Sequence, residues 1–300
     1  MQIFGPALGD DAAGDARRAE ATGFAGVRVL DHLYCSIDGG PDNTFDHPFV
    51  ALGVAAAVTE RVILTQTVLD VSRRHPVEVA QAISSLDRLS AGRAELGYGT
   101  GWYEPEHEAV GIRLGTGKER VDRFIEGLTI CRRMLDDGGV VDFEGEHYLA
   151  KVTIPWKPTP HPVPIVVGVA RPGLLRRSAA LADRLEILPP GPIFDDPGSP
   201  LDSATIEKYM DTARTVAAAH GRELAFSARV TLTLGRPVAA DDPMALGDGP
   251  DDVLAKVEGL AAAGFDRLCV LALDPHSQEW LADSIGTLSA IGPVLAGTTS

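Results

Sequence analysis

Val62-Ile-Leu-Thr-Gln-Thr-Val-Leu-Asp70 is followed by Val71-Ser-Arg-Arg-His-Pro76. Val77-Glu-Val-Ala-Gln-Ala-Ile-Ser-Ser-Leu-Asp-Arg-Leu-Ser90 comes next, and then Ala91-Gly-Arg-Ala-Glu-Leu-Gly-Tyr-Gly-Thr-Gly101. Val62–Leu69 is an apolar, β-branched run, as expected of a strand buried on both faces. Pro76 suits a first helical turn, where a missing N–H costs nothing. Val79, Ala80, Ile83, Leu86 and Leu89 recur at helical spacing. Gly92 stands where a helix would be capped, and Arg93–Tyr98 reads as a second strand. The forty residues form one β-α-β unit, for which a right-handed crossover is the strong default.

The same alternation extends in both directions. Strands are expected at Gln2–Ala7, Val27–Leu30, Ile165–Val169, Leu185–Leu188, Phe226–Leu234 and Leu268–Leu273. Helices are expected at 9–22, 48–59, 118–135, 172–182, 202–220, 250–263 and 278–295. Trp102–Gly117 reads as a long polar loop, and Val140–Lys151 as a hairpin. Residues 138–162 are taken as a short insertion after the fourth helix. Eight strands alternating with eight helices imply a parallel sheet covered by helices, either closed or doubly wound. Eight equal units favour closure, so residues 1–300 are expected to form a single (β/α)8 TIM barrel of the α/β class.

The chain is 45% hydrophobic and 23% charged, as in an ordinary globular protein. A net charge of −15 and a pI near 4.9 argue against a nucleic-acid partner. Cys35, Cys131 and Cys269 are widely spaced and form no CxxC pair, which favours a reducing compartment. No apolar run is long enough to span a bilayer and no leader pattern opens the chain, so a cytoplasmic protein without membrane contact is expected.

Several motifs along this frame resemble the bacterial luciferase-like oxidoreductases that use flavin or deazaflavin. The match begins with Gly23-Phe24 leading to Asp31-His32, Arg74-His75-Pro76, Ala80, and Ser85 through Arg93. It continues through Leu96-Gly-Tyr-Gly-Thr-Gly-Trp102, Arg120-Val121, Glu126, Phe143 through Tyr148, and Pro164 through Gly168. The resemblance covers roughly residues 10–185. No single piece of it is specific; together the pieces are.

In such barrels the site lies at the C-terminal ends of the strands. Polar residues there are Asp31, His32, Thr67, Asp70, Tyr98, Thr100, Arg171, Glu186, Asp274 and His276, with Gly101, Gly168 and Ala170 beside them. On residue type alone, His32 reads first as a strand-end histidine satisfied by a backbone group. The resemblance instead puts Asp31-His32 along a deazaflavin ring, with His32 near the reacting carbon and Asp31 orienting it or accepting from the ring. It also implies a non-prolyl cis peptide at Thr67-Val68 beneath the ring.

Gly97-Tyr98-Gly99-Thr100-Gly101 fails the G-x-G-x-x-G spacing, because Trp102 stands where the third glycine would be. Its glycines would allow close backbone approach to a planar ligand or a phosphate. Gly168-Val169-Ala170-Arg171 precedes a helix start suited to an anion, and Arg171 and Arg176 add positive charge. Arg177 reads as part of a solvated helix face. Glu104, Glu106, His107 and Glu108 read as a solvated loop, and no metal is expected.

The resemblance therefore implies coenzyme F420, with FMN as the alternative, and a small-molecule substrate on a homodimeric enzyme. Cofactor contacts are expected from Asp31, His32, Thr67, Val68, Tyr98, Thr100, Gly101, Gly168, Val169, Ala170 and Arg171. A barrel that binds flavin without catalysis is the rival from another class. Deazaflavin-dependent sugar-phosphate dehydrogenases carry Glu directly after Gly-Thr-Gly and an aromatic residue at position 36. Here Trp102 and Ser36 stand at those positions, which puts that substrate in doubt.

Overall fold

A computed structural model describes residues 1–35, 43–153, 155–156, 159, 161–189, 202–238 and 242–291. Ser36 and the end of the expected last helix lie outside them. The eight expected barrel strands are present as β1 (Gln2–Ala7), β2 (Gly26–Val29), β3 (Ile63–Gln66), β4 (Leu96–Gly99), β5 (Ile165–Val169), β6 (Arg184–Ile187), β7 (Ala225–Leu232) and β8 (Arg267–Ala272). Neighbouring strands pair in parallel from β4 through β8 to β1, β2 and β3. A bridge between Leu64 and Ala94 joins β3 to β4 and closes the ring.

The helices are α1 (Ala12–Thr22), α2 (Pro48–Val58), α3 (Pro76–Leu89), α4 (Glu104–Ala109), α5 (Gly117–Asp136), α6 (Pro172–Ser178), α7 (Ser203–Ala219), α8 (Pro250–Ala262) and α9 (Pro275–Ala290). A hairpin of Val141–Glu144 with Leu149–Val152 follows α5. No helix among the described residues is long and apolar enough to cross a membrane.

Two expectations need correction. Val62–Leu69 is not one continuous strand. The Thr67–Val68 peptide is cis, as the resemblance implies, and divides the run. Ile63–Gln66 pairs with β2, while Leu69–Asp70 pairs with β4. The second correction concerns Trp102–Gly117, which contains α4. Pro105 falls in its first turn, where proline is tolerated, so it does not interrupt the helix.

The ends of the staves opposite the site are tied by a buried ion pair. Arg267 donates from Nη1 and Nη2 to the two carboxylate oxygens of Glu95 at 2.7 and 2.8 Å, and from Nε to Gln2 at 2.9 Å. Its guanidinium lies 4.1 Å from the Phe4 ring centre. These contacts link the starts of β8, β4 and β1. Removing one partner of a buried pair leaves the other charge unanswered. Arg267→Ala is expected to cost about 3–5 kcal/mol in urea unfolding, and the double change Arg267→Met with Glu95→Leu to recover most of it. A loss below about 1 kcal/mol would show that the pair does not hold the barrel. Limited proteolysis of the intact chain is expected to release no independently folding half.

Candidate active site

Asp31 and His32 follow directly on the end of β2. The Asp31 side chain is 1% exposed. Its carboxylate accepts from Arg74 Nη1 at 2.7 Å, Arg74 Nη2 at 2.9 Å and the Asp70 N–H at 2.8 Å. Arg73 pairs with the same carboxylate at 2.5 Å. Asp31 is therefore a structural node that ties the end of β2 to the segment before α3.

Glu106 orients His32. His32 Nδ1 lies 2.9 Å from Glu106 Oε1. Glu106 Oε2 accepts the Leu33 N–H at 2.9 Å and Arg73 Nη1 at 3.3 Å. A carboxylate met by these donors accepts a hydrogen bond from Nδ1–H of His32 and leaves Nε2 as the ring nitrogen outside the pair. The His32 side chain is 16% exposed and that of Glu106 1%. Phe45, Trp102 and Tyr103 surround the imidazole, with ring centres at 5.9, 5.6 and 6.2 Å.

The reading of Glu104–Glu108 as solvated thus fails for Glu106 and His107, which α4 turns inward. His107 is fully buried. Its Nδ1 donates to the Tyr103 carbonyl at 2.8 Å, and its Nε2 lies 2.8 Å from Asp70 and 2.7 Å from Ser72 Oγ. Burial pulls the His107 imidazole down, but Asp70 and the Tyr103 carbonyl outweigh it and raise its pKa. Burial likewise pushes Asp70 up, but His107 and Ser72 outweigh it and lower its pKa. Asp70, Glu106 and His107 bring donor atoms within 4.8 Å of one another. Hydrogen-bond donors already meet both carboxylates, so the cluster gives no argument for an ion. A sequence signal for α4 did exist: a proline one residue after its first position, followed by Glu106 and His107 on its inner face.

A cavity of about 1180 Å³ opens beside this network. Val68, Thr100, Gly101, Gly168, Ala170 and Arg171 line it. Trp102, Tyr103, Lys118, Arg120 and Arg177 line it as well. Arg177 is thus on the cavity, whereas Arg176 is not among its lining residues. Asp122 bridges Lys118 at 2.5 Å and Arg177 at 2.6 Å.

Other expected residues are elsewhere. Tyr98 points outward into the helix layer, fully buried against Phe124 at 5.6 Å. Val169 belongs to the core, and Thr67 is buried away from the cavity lining. Asp274 caps α9 by accepting from the Ser277 N–H at 2.9 Å. Glu186 meets Arg229 Nε at 2.7 Å and Cys269 Sγ at 3.0 Å inside the barrel.

A family model described as luciferase-like monooxygenase matches residues 9–247. The chain belongs to that family. An F420-dependent glucose-6-phosphate dehydrogenase of Beutenbergia cavernae is 36% identical over 167 residues, covering 55% of this chain and 48% of that protein. An F420-dependent hydroxymycolic acid dehydrogenase of Mycobacterium tuberculosis is 34% identical over 171 residues, covering 56% of this chain and 45% of that protein. The chain spans about half the length of these luciferase-like relatives. Among solved structures, an F420-dependent secondary alcohol dehydrogenase bound to an F420-acetone adduct superimposes with a TM-score of 0.79 at 16% identity, covering 96% and 98% of the two chains. Monooxygenase RslO1 of Streptomyces bottropensis gives 0.73 at 22% identity, covering 95% and 99%. At these identities the likeness shows the fold.

The Asp70–His107 pair sets a pH window. Asp70 is held below its ordinary 3.8, so its contribution is present above that value and lost as pH falls through its lower folded value. His107 is held above its ordinary 6.5, so its contribution is complete below 6.5 and lost as pH rises through its higher folded value. The pair therefore stabilises this luciferase-like barrel most between about pH 4 and 6.5. In urea titrations, the stability gap between wild type and His107→Gln is expected to be widest in that window and to narrow as pH rises above it. A gap independent of pH would show that the two groups do not interact as ions.

Proposed function

We propose that this chain is a coenzyme F420-dependent oxidoreductase acting on a small organic molecule. The observation that carries the reading is the polarity of the cavity. Trp102 and Tyr103, which pack against the His32–Glu106 pair, line one part of it; Lys118, Arg120, Arg171 and Arg177 line another. A deazaflavin with a phosphate and oligoglutamate tail needs a flat apolar berth and positive charge to receive the tail, all the more on a chain of net charge −15. Gly168 fits the berth, because a Cβ there would meet nothing closer than Val68 Cγ1 at 3.5 Å and leaves room at the wall. The activities named for the two relatives and for the alcohol dehydrogenase neighbour support the same cofactor.

The bound deazaflavin would supply or accept the hydride. The protein does the rest. Glu106 holds the Nδ1 proton of His32, and Arg73 and the Leu33 N–H hold Glu106. His32 Nε2 takes the hydroxyl proton of an alcohol or returns it to a carbonyl oxygen. Val68, Gly168, Ala170, Thr100 and Gly101 would hold the ring, and Lys118, Arg120, Arg171 and Arg177 would receive the tail. Asp31 serves indirectly, by holding Arg73.

An FMN-dependent monooxygenase is the second reading, favoured by the family model's own description and by the RslO1 neighbour. We place the protein in the cytoplasm, consistent with its widely spaced, buried cysteines Cys35, Cys131 and Cys269. We also propose a homodimer, supported by an apolar stripe on α2 where Val50 and Val54 are 64% and 41% exposed.

Side-by-side fluorescence titration is expected to show F420 binding and at most weak FMN binding. Micromolar FMN affinity without F420 binding would replace the first reading with the second. His32→Ala is expected to lower kcat by about 10²-fold or more with the fold intact. Glu106→Gln should lower it by about 10-fold or more, with F420 affinity near wild type. Full activity in Glu106→Gln would remove the pair from the mechanism.

A further inference from the structure

We propose that Arg229, on the barrel axis near the mouth, is a substrate-binding residue, and that the group it takes is a planar monoanion, a carboxylate. The inference rests on the function proposed above and adds the chemical class of the substrate. Arg229 belongs neither to the cofactor contacts proposed there nor to the His32–Glu106 pair.

The first observation is where Arg229 stands. Side chains on β7 alternate between helix layer and barrel axis. Phe226, Ala228, Val230 and Leu232 belong to the apolar core that the helices cover. Ser227, Arg229 and Thr231 therefore face the axis. On the neighbouring strand Ile187 pairs with Ala228, so Leu188 is level with Arg229. Leu188 lines the cavity. Arg229 is thus one strand beyond the edge of the cavity, in the same barrel mouth. Its side chain is 16% exposed, and Thr231, the next axial residue toward the mouth, is partly exposed as well. The guanidinium is reached from that end.

The second observation is a surplus of positive charge. At the bottom of the axis Arg267 is matched by Glu95. Farther along, the described charged residues are Arg28, Glu186 and Arg229: two guanidinium groups and one carboxylate. Arg28 is buried and donates to the carbonyls of Gly5 at 3.0 Å and Val270 at 2.8 Å. Burial pushes Glu186 up, but Arg229, Cys269 and Arg28 outweigh it and lower its pKa, so Glu186 carries its charge. Burial and the nearby Glu186 push the Cys269 thiol up, so it stays neutral. Arginine keeps its charge inside a protein. Asp31 and Glu106 do not make up the difference, because Arg73, Arg74 and His32 hold them. One buried positive charge is left without a carboxylate, which is costly unless something answers it.

The third observation is hydrogen bonding left unused. Arg229 Nε donates to Glu186 Oε1 at 2.7 Å. Nη2 lies against the same oxygen but makes no hydrogen bond with it or with any other described acceptor. The buried hydroxyl of Ser227, two residues back on the same face, has no partner either. With one edge of the fork on Glu186, the end of the guanidinium keeps N–H groups that suit the two oxygens of a carboxylate. A monoanion matches the single surplus charge. A phosphate dianion would exceed it and set a second negative charge against Glu186.

The test compares acids with their own amides, which differ in charge and little in shape. Lactate, lactamide, mandelate and mandelamide are titrated into the full chain by ligand-observed saturation-transfer NMR, with and without F420. F420 is titrated separately by fluorescence; its failure to bind would sink the cofactor reading and leave the comparison in the cofactor-free chain standing. At least one acid is expected to bind about tenfold or more tightly than its amide. Removing Arg229 alone would strand Glu186, so the loss variant is Arg229→Met with Glu186→Leu. It is expected to bind acid and amide alike, with circular dichroism and F420 affinity as in wild type. Glu186→Gln removes only the counter-charge and keeps the test open should the double variant not fold. It is expected to strengthen acid binding about threefold or more and leave amide binding unchanged. Equal affinity for acid and amide in wild type would overturn the proposal, as would an acid preference that survives in the double variant. Inorganic phosphate that displaced the acid at equal concentration would overturn the carboxylate assignment. A parallel loss of F420 affinity in the double variant would assign Arg229 to the cofactor and overturn its substrate role.

Discussion

The Asp31 carboxylate is the constraint on which the site depends. With 1% of its side chain exposed, it must be answered from within the protein. Arg73, Arg74 and the Asp70 N–H answer it. Those partners belong to the segment between β3 and α3, so one side chain fixes the end of β2 against the chain that crosses to the next stave. Asp70 is also paired with β4 through the Leu69–Asp70 strand segment. Three consecutive staves therefore converge on one anion, and the residue after that anion is His32.

Arg73 carries this constraint onward. It pairs with Asp31 at 2.5 Å and with Glu106 at 3.3 Å, and Glu106 in turn holds His32. Glu106 is on α4, and the next residue, His107, locks that short helix to Asp70. A helix of one and a half turns has little stability of its own in water. Two buried ionic contacts from adjacent residues give α4 a fixed place, and with it His32 a fixed orientation. Such networks stabilise little relative to an apolar core but are costly to leave half-satisfied. They are better understood as fixing geometry.

The sequence made the barrel legible because its signals were redundant. Each β-α-β unit repeats buried β-branched runs, a helical apolar stripe and a glycine or proline boundary, and an error of two residues at a boundary leaves the architecture unchanged. The site was less legible because it depends on where single side chains point. Asp31 and His32 were marked correctly as residues at a strand end. The sequence could not show that Asp31 turns into the protein and that His32 turns to α4. Glu106 and His107 were missed because their charged neighbours Glu104 and Glu108 suggested solvent, and because Pro105 was read as a break and not as a first-turn residue. Burial of Glu106 follows from Arg73, which lies 33 residues earlier. No local pattern encodes that distance.

Tyr98 shows how alternation along a strand decides what a ligand meets. Side chains on β4 alternate between barrel axis and helix layer. Tyr98 takes the outward place and needs room there. Gly127 on α5 provides it, since a Cβ at that position would lie 2.8 Å from the Tyr98 hydroxyl. Gly97, Gly99 and Gly101 take the inward places, where a Cβ would fall 1.8 Å from the Gln66 carbonyl oxygen, 2.3 Å from Val68 Cγ2 and 2.4 Å from Asp70 Oδ2. The divided strand before α3 has moved into the space that side chains on β4 would fill. Of these residues, Gly99 and Gly101 line the cavity. Along this stretch a bound molecule meets backbone in place of side chains, which suits a flat ring held by shape and by peptide N–H groups. Selectivity must then come from the side chains that flank this stretch, Trp102 and Tyr103 directly after it among them.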